Sequence, residues 1–365
     1  MDTTDPFPGW VASAREGNRE ALESLVRAVQ DQLYALAMRM LGDPADAQDA
    51  KPRTFTDPAQ AGPDFLIQGE YEGKIGNDTV GGAQVIALGE RDCSVQRRNQ
   101  KIIEDMCDKS YGIILVTGPT GSGKSTTLYS ILNKINTGDK NIITIEDPVE
   151  YELDGINQCG VNVRAGMTFS AGLRAMLRQD PDVIMVGEMR DTETATIAME
   201  AALTGHLVLS TLHTNDAPSA PTRLIDMEVE PFLISSSIIC VMAQRLVRMI
   251  CPSCKESYHT SRESLLRYGF PLPEEIGADT GGELTLFRGR GCEKCAHTGY
   301  RGRTGVHEVL VFTDDVRDKI LEKCPSHVIR NLAIGHGMKT LQSDAVQKIL
   351  NGVTSVDEVL RVIYA

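Results

Sequence analysis

From Tyr111 to Tyr129 the chain reads YGIILVTGPTGSGKSTTLY, an apolar run, a glycine-rich bend and a helix-forming stretch, and no other segment constrains the fold as tightly. Ile113 to Val116 are β-branched or leucine, the composition of a strand buried on both faces. Gly118, Gly123, Lys124 and Ser125 fit G-x-x-x-x-G-K-[ST], the phosphate-binding loop. Across Gly118, Pro119, Thr120, Gly121, Ser122 and Gly123 such a loop turns backbone N–H groups inward onto phosphate oxygens. Lys124 then reaches the terminal phosphates and Ser125 offers its hydroxyl to Mg²⁺. Thr126 and Thr127 open a helix whose N-terminus adds favourable partial charge. A strand, a loop and a helix in this order predict an α/β fold that binds ATP with Mg²⁺.

Three further strand-like runs end in polar groups. Val183 to Val186 leads to Glu188, Asn141 to Ile145 leads to Glu146 and Asp147, and Leu207 to Leu212 lies between His206 and His213. Ligands of parallel α/β sheets sit at the carboxyl ends of the strands. Glu188 is therefore predicted to orient or deprotonate a water attacking the γ-phosphate, and Glu146 to serve the metal, its waters or the nucleophile. His213 is predicted as a γ-phosphate sensor, because imidazole can donate to a phosphate oxygen. A hydrogen-bonded structural histidine is the alternative there.

Cys251-Pro-Ser-Cys254 and Cys292-Glu-Lys-Cys295 form two C-x₂-C pairs, the arrangement of two knuckles closing a tetrahedral Zn²⁺ site. Four thiolates satisfy zinc and leave no open position, which predicts a structural metal; a redox role is the rival. The segment between the pairs is longer than usual for such sites. Cys93, Cys107, Cys159, Cys240 and Cys324 are scattered, and ordinary thiols suffice for them. The net charge of −13 argues against a nucleic-acid partner, whose phosphates are held largely by Lys and Arg. No run is apolar over the length that spans a bilayer, and no basic segment precedes an apolar one at the N-terminus, so a cytoplasmic location is expected.

Residues 1–50 read as helical, with Leu22, Leu25, Val26, Val29, Leu33, Leu36 and Met40 on one face and a break at Gly42-Asp43-Pro44. Residues 51–100 read as a linker or a truncated N-terminal domain, in which Phe65-Leu-Ile and Gln84-Val-Ile-Ala-Leu are short strands flanking turns at Gly73, Gly76-Asn-Asp and Gly81-Gly82. A short helix is expected over Ile102 to Cys107, ahead of an ATPase core over 101–250 and a zinc module over 251–298. The C-terminal part, 299–365, begins strand-like at Val309 and turns helical from Ser326, with Ser355-Val-Asp-Glu358 as a capping box.

Residues from about 100 to 365 resemble the secretion ATPases of the type II secretion and type IV pilus assembly family. The resemblance rests on the phosphate loop, the acidic box ITIEDPVEYELDGINQ from Ile143, LRQDPDVIMVGEMRD from Leu177, TGHLVLSTLHTND from Thr204, the run ending in AQRLVRMICP, and the paired knuckles. It implies a RecA-like domain in a homohexameric ring, docked on inner-membrane platform proteins, in which ATP hydrolysis drives pseudopilus or pilus assembly. Lys124 and Ser125 then hold phosphate and Mg²⁺, Glu188 is the Walker B catalytic glutamate, Glu146 the acidic-box carboxylate, and His206 and His213 the histidine-box pair. Retraction ATPases of this superfamily generally lack the tetracysteine module, which places the chain on the assembly side. Family members also carry a preceding domain whose arginines reach the γ-phosphate, and residues 51–100 do not match it. EALESLVR from Glu20 and LYALAMRMLGDPADAQD from Leu33 resemble the start of the core-polymerase-binding region of extracytoplasmic-function sigma factors. A generic amphipathic helical pair, or a fused chain that docks on RNA polymerase, are the alternatives for that segment.

Overall fold

The computed structural model describes residues 73–75, 78–80, 97–272 and 282–364. The helices expected over 1–50 and most of the linker expected over 51–100 lie outside the described residues. β1 (Gly73–Ile75) and β2 (Asp78–Val80) pair antiparallel, in a stretch whose glycines led to turns being expected there. Helix α1 (Arg97–Cys107) starts before Ile102, because its first turn is polar and carries no apolar period to announce it.

The phosphate-loop segment forms β3 (Gly112–Thr117) and α2 (Lys124–Ile135), followed by β4 (Ile142–Glu146) and β5 (Asn157–Gly160). Then come α3 (Phe169–Met176), β6 (Val183–Val186), α4 (Thr192–Leu203) and β7 (Leu207–Leu212). α5 (Ser219–Asp226) and α6 (Pro231–Ser237) lead into the long strand β8 (Ile238–Ile250). β9 (Lys255–Ser261), α7 (Arg262–Arg267) and β10 (Glu283–Gly289) make an excursion, and β11 (Tyr300–Val311) returns to the main sheet. The chain closes with α8 (Asp314–Leu321), α9 (Ser326–Gly335), α10 (Leu341–Leu350) and α11 (Val356–Ile363).

The sheet runs in the order β11-β8-β3-β7-β6-β4-β5. All neighbours are parallel except β11, which lies antiparallel on β8 at the edge. A central parallel strand buries both faces, and β3 does: Ile113, Ile114, Leu115 and Val116 are at most 2% exposed, a burial worth about 1.5–3 kcal/mol per side chain. Alternate residues serve opposite layers. Ile113 and Leu115 pack with α3, α4, α6 and the C-terminal helices, whereas Ile114 and Val116 pack against α1 and α2.

β11 is much longer than the expected start at Val309, since Tyr300 to Gly305 extend the pairing with β8 through a glycine- and arginine-rich stretch. At its edge, Asp344 of α10 accepts the His307 backbone N–H at 2.8 Å, and Lys348 neutralises Asp344 at 2.9 Å. At the start of α11 Ser355 caps the Glu358 N–H as expected. The Glu358 side chain does not complete the capping box: it turns to the Arg248 backbone N–H and to the guanidinium groups of Arg248 and Arg361. Two nearby arginines outbid one backbone amide, tying the last helix to β8.

Candidate nucleotide site

Four adjacent strands deliver the predicted residues to one end of the sheet. Thr117 pairs with Leu212, Val186 with Ser210 and Ile145 with Val186, so Gly118, His213, Glu188 and Glu146 leave their strands at about the same level. A cavity of about 830 Å³ opens at that end. Thr120, Gly121, Gly123, Lys124, Ser125 and Thr126 line it from the loop, and Glu146, Asp147, Glu188, Arg190 and His213 from the neighbouring strand ends. Tyr129, Leu246 and Arg303 complete parts of the wall.

The backbone of the loop depends on its glycines. Gly118 has φ +149°, and a Cβ there would stand 2.4 Å from the Gln244 carbonyl oxygen. Gly123 enters α2 at φ 87°, the left-handed region that side chains avoid. Lys124 Nζ donates to the Gly118 and Pro119 carbonyl oxygens at 2.9 and 3.1 Å, which centres the ammonium in the loop. Burial pulls its pKa below the ordinary lysine value, and the Glu188 carboxylate pulls the other way. A partly desolvated cation gains most from a compact anion, and a phosphate chain is one. Gly118, Pro119, Ser122 and Thr127 lie behind the lining, and the Thr127 hydroxyl points away from the cavity to Gln244 Oε1 at 2.7 Å.

Glu188 is held from two sides. His213 Nε2 lies 3.1 Å from its Oε1, and Arg190 Nε donates to its Oε2 at 2.8 Å. Arg190 also faces Asp147 at 3.8 Å, so the acidic box and the strand-end glutamate share one cation. The pair bond with Glu188 raises the Arg190 pKa further. A carboxylate fixed in this way beside a phosphate loop can orient a water or accept its proton.

Glu146 is more buried than its predicted role requires, at 4% exposed. It accepts from Thr144 at 2.6 Å, from Gln158 at 3.1 Å and from the Tyr129 hydroxyl. Through Tyr129 the carboxylate anchors α2 to β4 and β5 beneath the cavity. Burial and this bond push the Tyr129 phenol well above its ordinary pKa, so it remains a donor. His206 does not join the cluster. It precedes β7 while His213 follows it, which separates them by roughly 20 Å of extended strand, and its Nδ1 lies 2.8 Å from the Ala201 carbonyl oxygen.

The loop after His213 is fixed residue by residue. Thr214 bonds Thr117 at the end of β3, Asn215 accepts from Arg245, Asp216 pairs with Arg330 of α9, and the Ala217 N–H donates to Glu308 at 2.8 Å. Glu308 also accepts from the Leu341 N–H at the start of α10. Burial pushes its carboxyl up to about 7, against these two donors.

At the far end of β8, the Sγ atoms of Cys251, Cys254, Cys292 and Cys295 lie within 4.8 Å of one another. The β9–β10 hairpin explains the long spacing: Lys255 pairs with Gly289, so the knuckles on either side of the hairpin meet at its base. Sulfur–sulfur separations of 3.7, 3.8 and 3.9 Å match the edge of a tetrahedron with metal–sulfur bonds of about 2.3 Å, roughly 3.8 Å. The arrangement fits one tetrahedral ion, and the Cys292 and Gly299 N–H groups donate to the Cys295 sulfur at 3.2 and 3.3 Å.

Sequence reasoning gave no role to Tyr129, Gln244, Leu246 or Arg303. Tyr129 sits in the phosphate-loop run and Gln244 in the AQRLVR run, but nothing local in either marks its partner.

A mostly parallel sheet with a phosphate loop after an interior strand, flanked by strand-end carboxylates, defines a P-loop protein of RecA-like architecture. The chain belongs to the type II/IV secretion system protein family, which it matches over residues 83–361. That match starts ahead of the motifs and does not reach residues 1–50. The chain is 52% identical over 264 residues to the type II secretion system protein E of Aeromonas hydrophila, covering 72% of this chain and 51% of that one. It is 54% identical over 257 residues to the type IV pilus assembly ATPase PilB of Thermus thermophilus, covering 70% and 28%. The crystal structure of the pilus retraction motor PilT with bound ADP superimposes with a TM-score of 0.52 at 30% identity, covering 76% of this chain and 67% of that one. The chain thus spans about half the length of the secretion relative.

Proposed function

We propose that the chain is an ATP-hydrolysing motor of a type II secretion system, acting as a homohexamer on inner-membrane platform proteins at the cytoplasmic face and powering pseudopilus assembly. The observation that carries this reading is the convergence of Lys124, Glu188 and His213 on one cavity, in a chain 52% identical to a type II secretion protein E. Lys124 and the loop N–H groups hold the β- and γ-phosphates. Ser125, which lines the cavity, would ligate Mg²⁺, and that ion would offset charge on the phosphates. Glu188, steadied by Arg190 and His213, orients the attacking water and takes its proton. Glu146 keeps α2, and with it Ser125, in register with the acidic box. The four cysteines hold a structural Zn²⁺, which also supports the assembly side of the family. Among the described residues no helix is long and apolar enough to cross a membrane.

The 54% identity to a pilus assembly ATPase supports a second reading, extension of a type IV pilus. Disruption of the gene in its host separates the two. Retention of normally secreted proteins supports the secretion reading, while loss of surface pili with intact secretion replaces it with the pilus reading; neither defect contradicts both.

A further inference from the structure

The phosphate loop is not held by its own segment alone. Ala243 of β8 pairs with Thr117, the last residue of β3, so Gln244 stands level with Gly118 where the loop departs. The Gln244 side chain is 0% exposed. Its Nε2 donates to the Ser122 carbonyl oxygen at 2.6 Å, and its Oε1 accepts from the Thr127 hydroxyl at 2.7 Å. Ser122 lies in the loop and Thr127 in the first turn of α2, the two pieces that wrap a phosphate. Its backbone carbonyl meanwhile occupies the space over Gly118 that a Cβ would take.

We propose that Gln244 is a positioning residue for nucleotide binding: one buried amide staples the loop to the helix that follows it, fixing the curvature that points the loop N–H groups at the phosphates. The inference rests on the nucleotide reading of the cavity and adds a residue outside the motif. An amide suits the task because it offers a donor and an acceptor on one rigid plane, and the two partners require one of each. Both bonds are buried, so losing the amide leaves a carbonyl and a hydroxyl without partners. The loop then samples conformations in which its N–H groups diverge. Neither Gln244 nor Thr127 lines the cavity, so their effect passes through the loop and not through contact with the ligand.

The test uses the full chain and Mg-ATP, with calorimetric affinity and amide hydrogen exchange as readouts. Gln244→Leu, close in size and without polar atoms, is expected to weaken binding about tenfold, and Thr127→Val by a few-fold. The double variant should bind no more weakly than Gln244→Leu, because one clamp is lost once. Without nucleotide, exchange should accelerate at residues 119–125 while β3 and β8 stay protected; acceleration throughout the sheet would mean a structural role only and would overturn the proposal. So would parent-like affinity in Gln244→Leu, or additive losses in the double variant. If Gln244→Leu does not fold, Thr127→Val decides alone, and parent-like affinity there refutes the staple. A parent chain that binds no Mg-ATP refutes the nucleotide reading, and the staple with it.

Discussion

Replacing Glu188 by glutamine separates the chemistry of the carboxylate from its place in the site. Its two oxygens lie 3.1 Å from His213 Nε2 and 2.8 Å from Arg190 Nε. An amide of the same shape keeps its oxygen toward Arg190 and turns its NH₂ toward His213, whose Nε2 accepts when the proton sits on Nδ1. Arg190 is 59% exposed, so the lost charge pairing costs up to about 1 kcal/mol, and the melting temperature should fall by only about 2–4 °C. Affinity for Mg-ATP should hold or rise, because a negative charge leaves the neighbourhood of the γ-phosphate. Turnover should not survive. A positioned base contributes on the order of a hundredfold to ten-thousandfold, about 2.7–5.5 kcal/mol of barrier. Initial rates of phosphate release at saturating Mg-ATP, set beside calorimetric affinities, measure both quantities. Turnover within about threefold of an active parent would refute the role given to Glu188, and so would loss of binding together with turnover.

Metal analysis of the purified protein should find near-stoichiometric zinc, and Cys251→Ser should lose it and unfold residues 250–300 first; a metal-free, fully folded protein with all four thiols titratable would contradict the tetrahedral reading. Burial raises the Glu358 carboxyl, but bonds from Arg361 and Arg248 outweigh it and bring the group down from 4.5 to about 2. Its stabilisation is therefore complete above pH about 4.5 and lost as pH falls toward about 2, worth up to about 3 kcal/mol before solvent around the half-exposed arginines reduces it. Glu358→Gln should flatten the acid-unfolding curve in that window, and an unchanged curve would show that the arginines do not hold the charge. His213→Ala should lower turnover about tenfold or more, while His206→Ala should leave turnover within about twofold, since it lies roughly 20 Å along the strand from His213; an equal loss of turnover in the two would place His206 in the site.

What could be read from the sequence was what is written locally. Val183–Val186 and the β3 run are buried on both faces, so their apolar character marks the strands without help from distant partners. The phosphate loop reads itself, because its glycines, lysine and serine act within one turn. The same logic placed His206 and His213 at opposite ends of a strand, yet their common family label hid that the ends face different surroundings. Gln244 could not be found this way: its partners Ser122 and Thr127 are more than a hundred residues away and reach it only because β8 lies beside β3. Glu146 reads as an exposed strand-end carboxylate until Tyr129, Thr144 and Gln158 close over it. The capping box at Ser355 was half right, since no local pattern says that Arg248 competes for Glu358.

The proposed nucleotide, with its phosphates in the Gly118–Thr127 loop, would be held around Lys124. Titration of Mg-ATP into the purified chain and into Lys124→Ala tests it most directly. The parent is expected to bind one nucleotide per chain and the variant none detectable, because the loop loses the one compact cation at its centre. Equal affinity in the two proteins, each folded by circular dichroism, would contradict it.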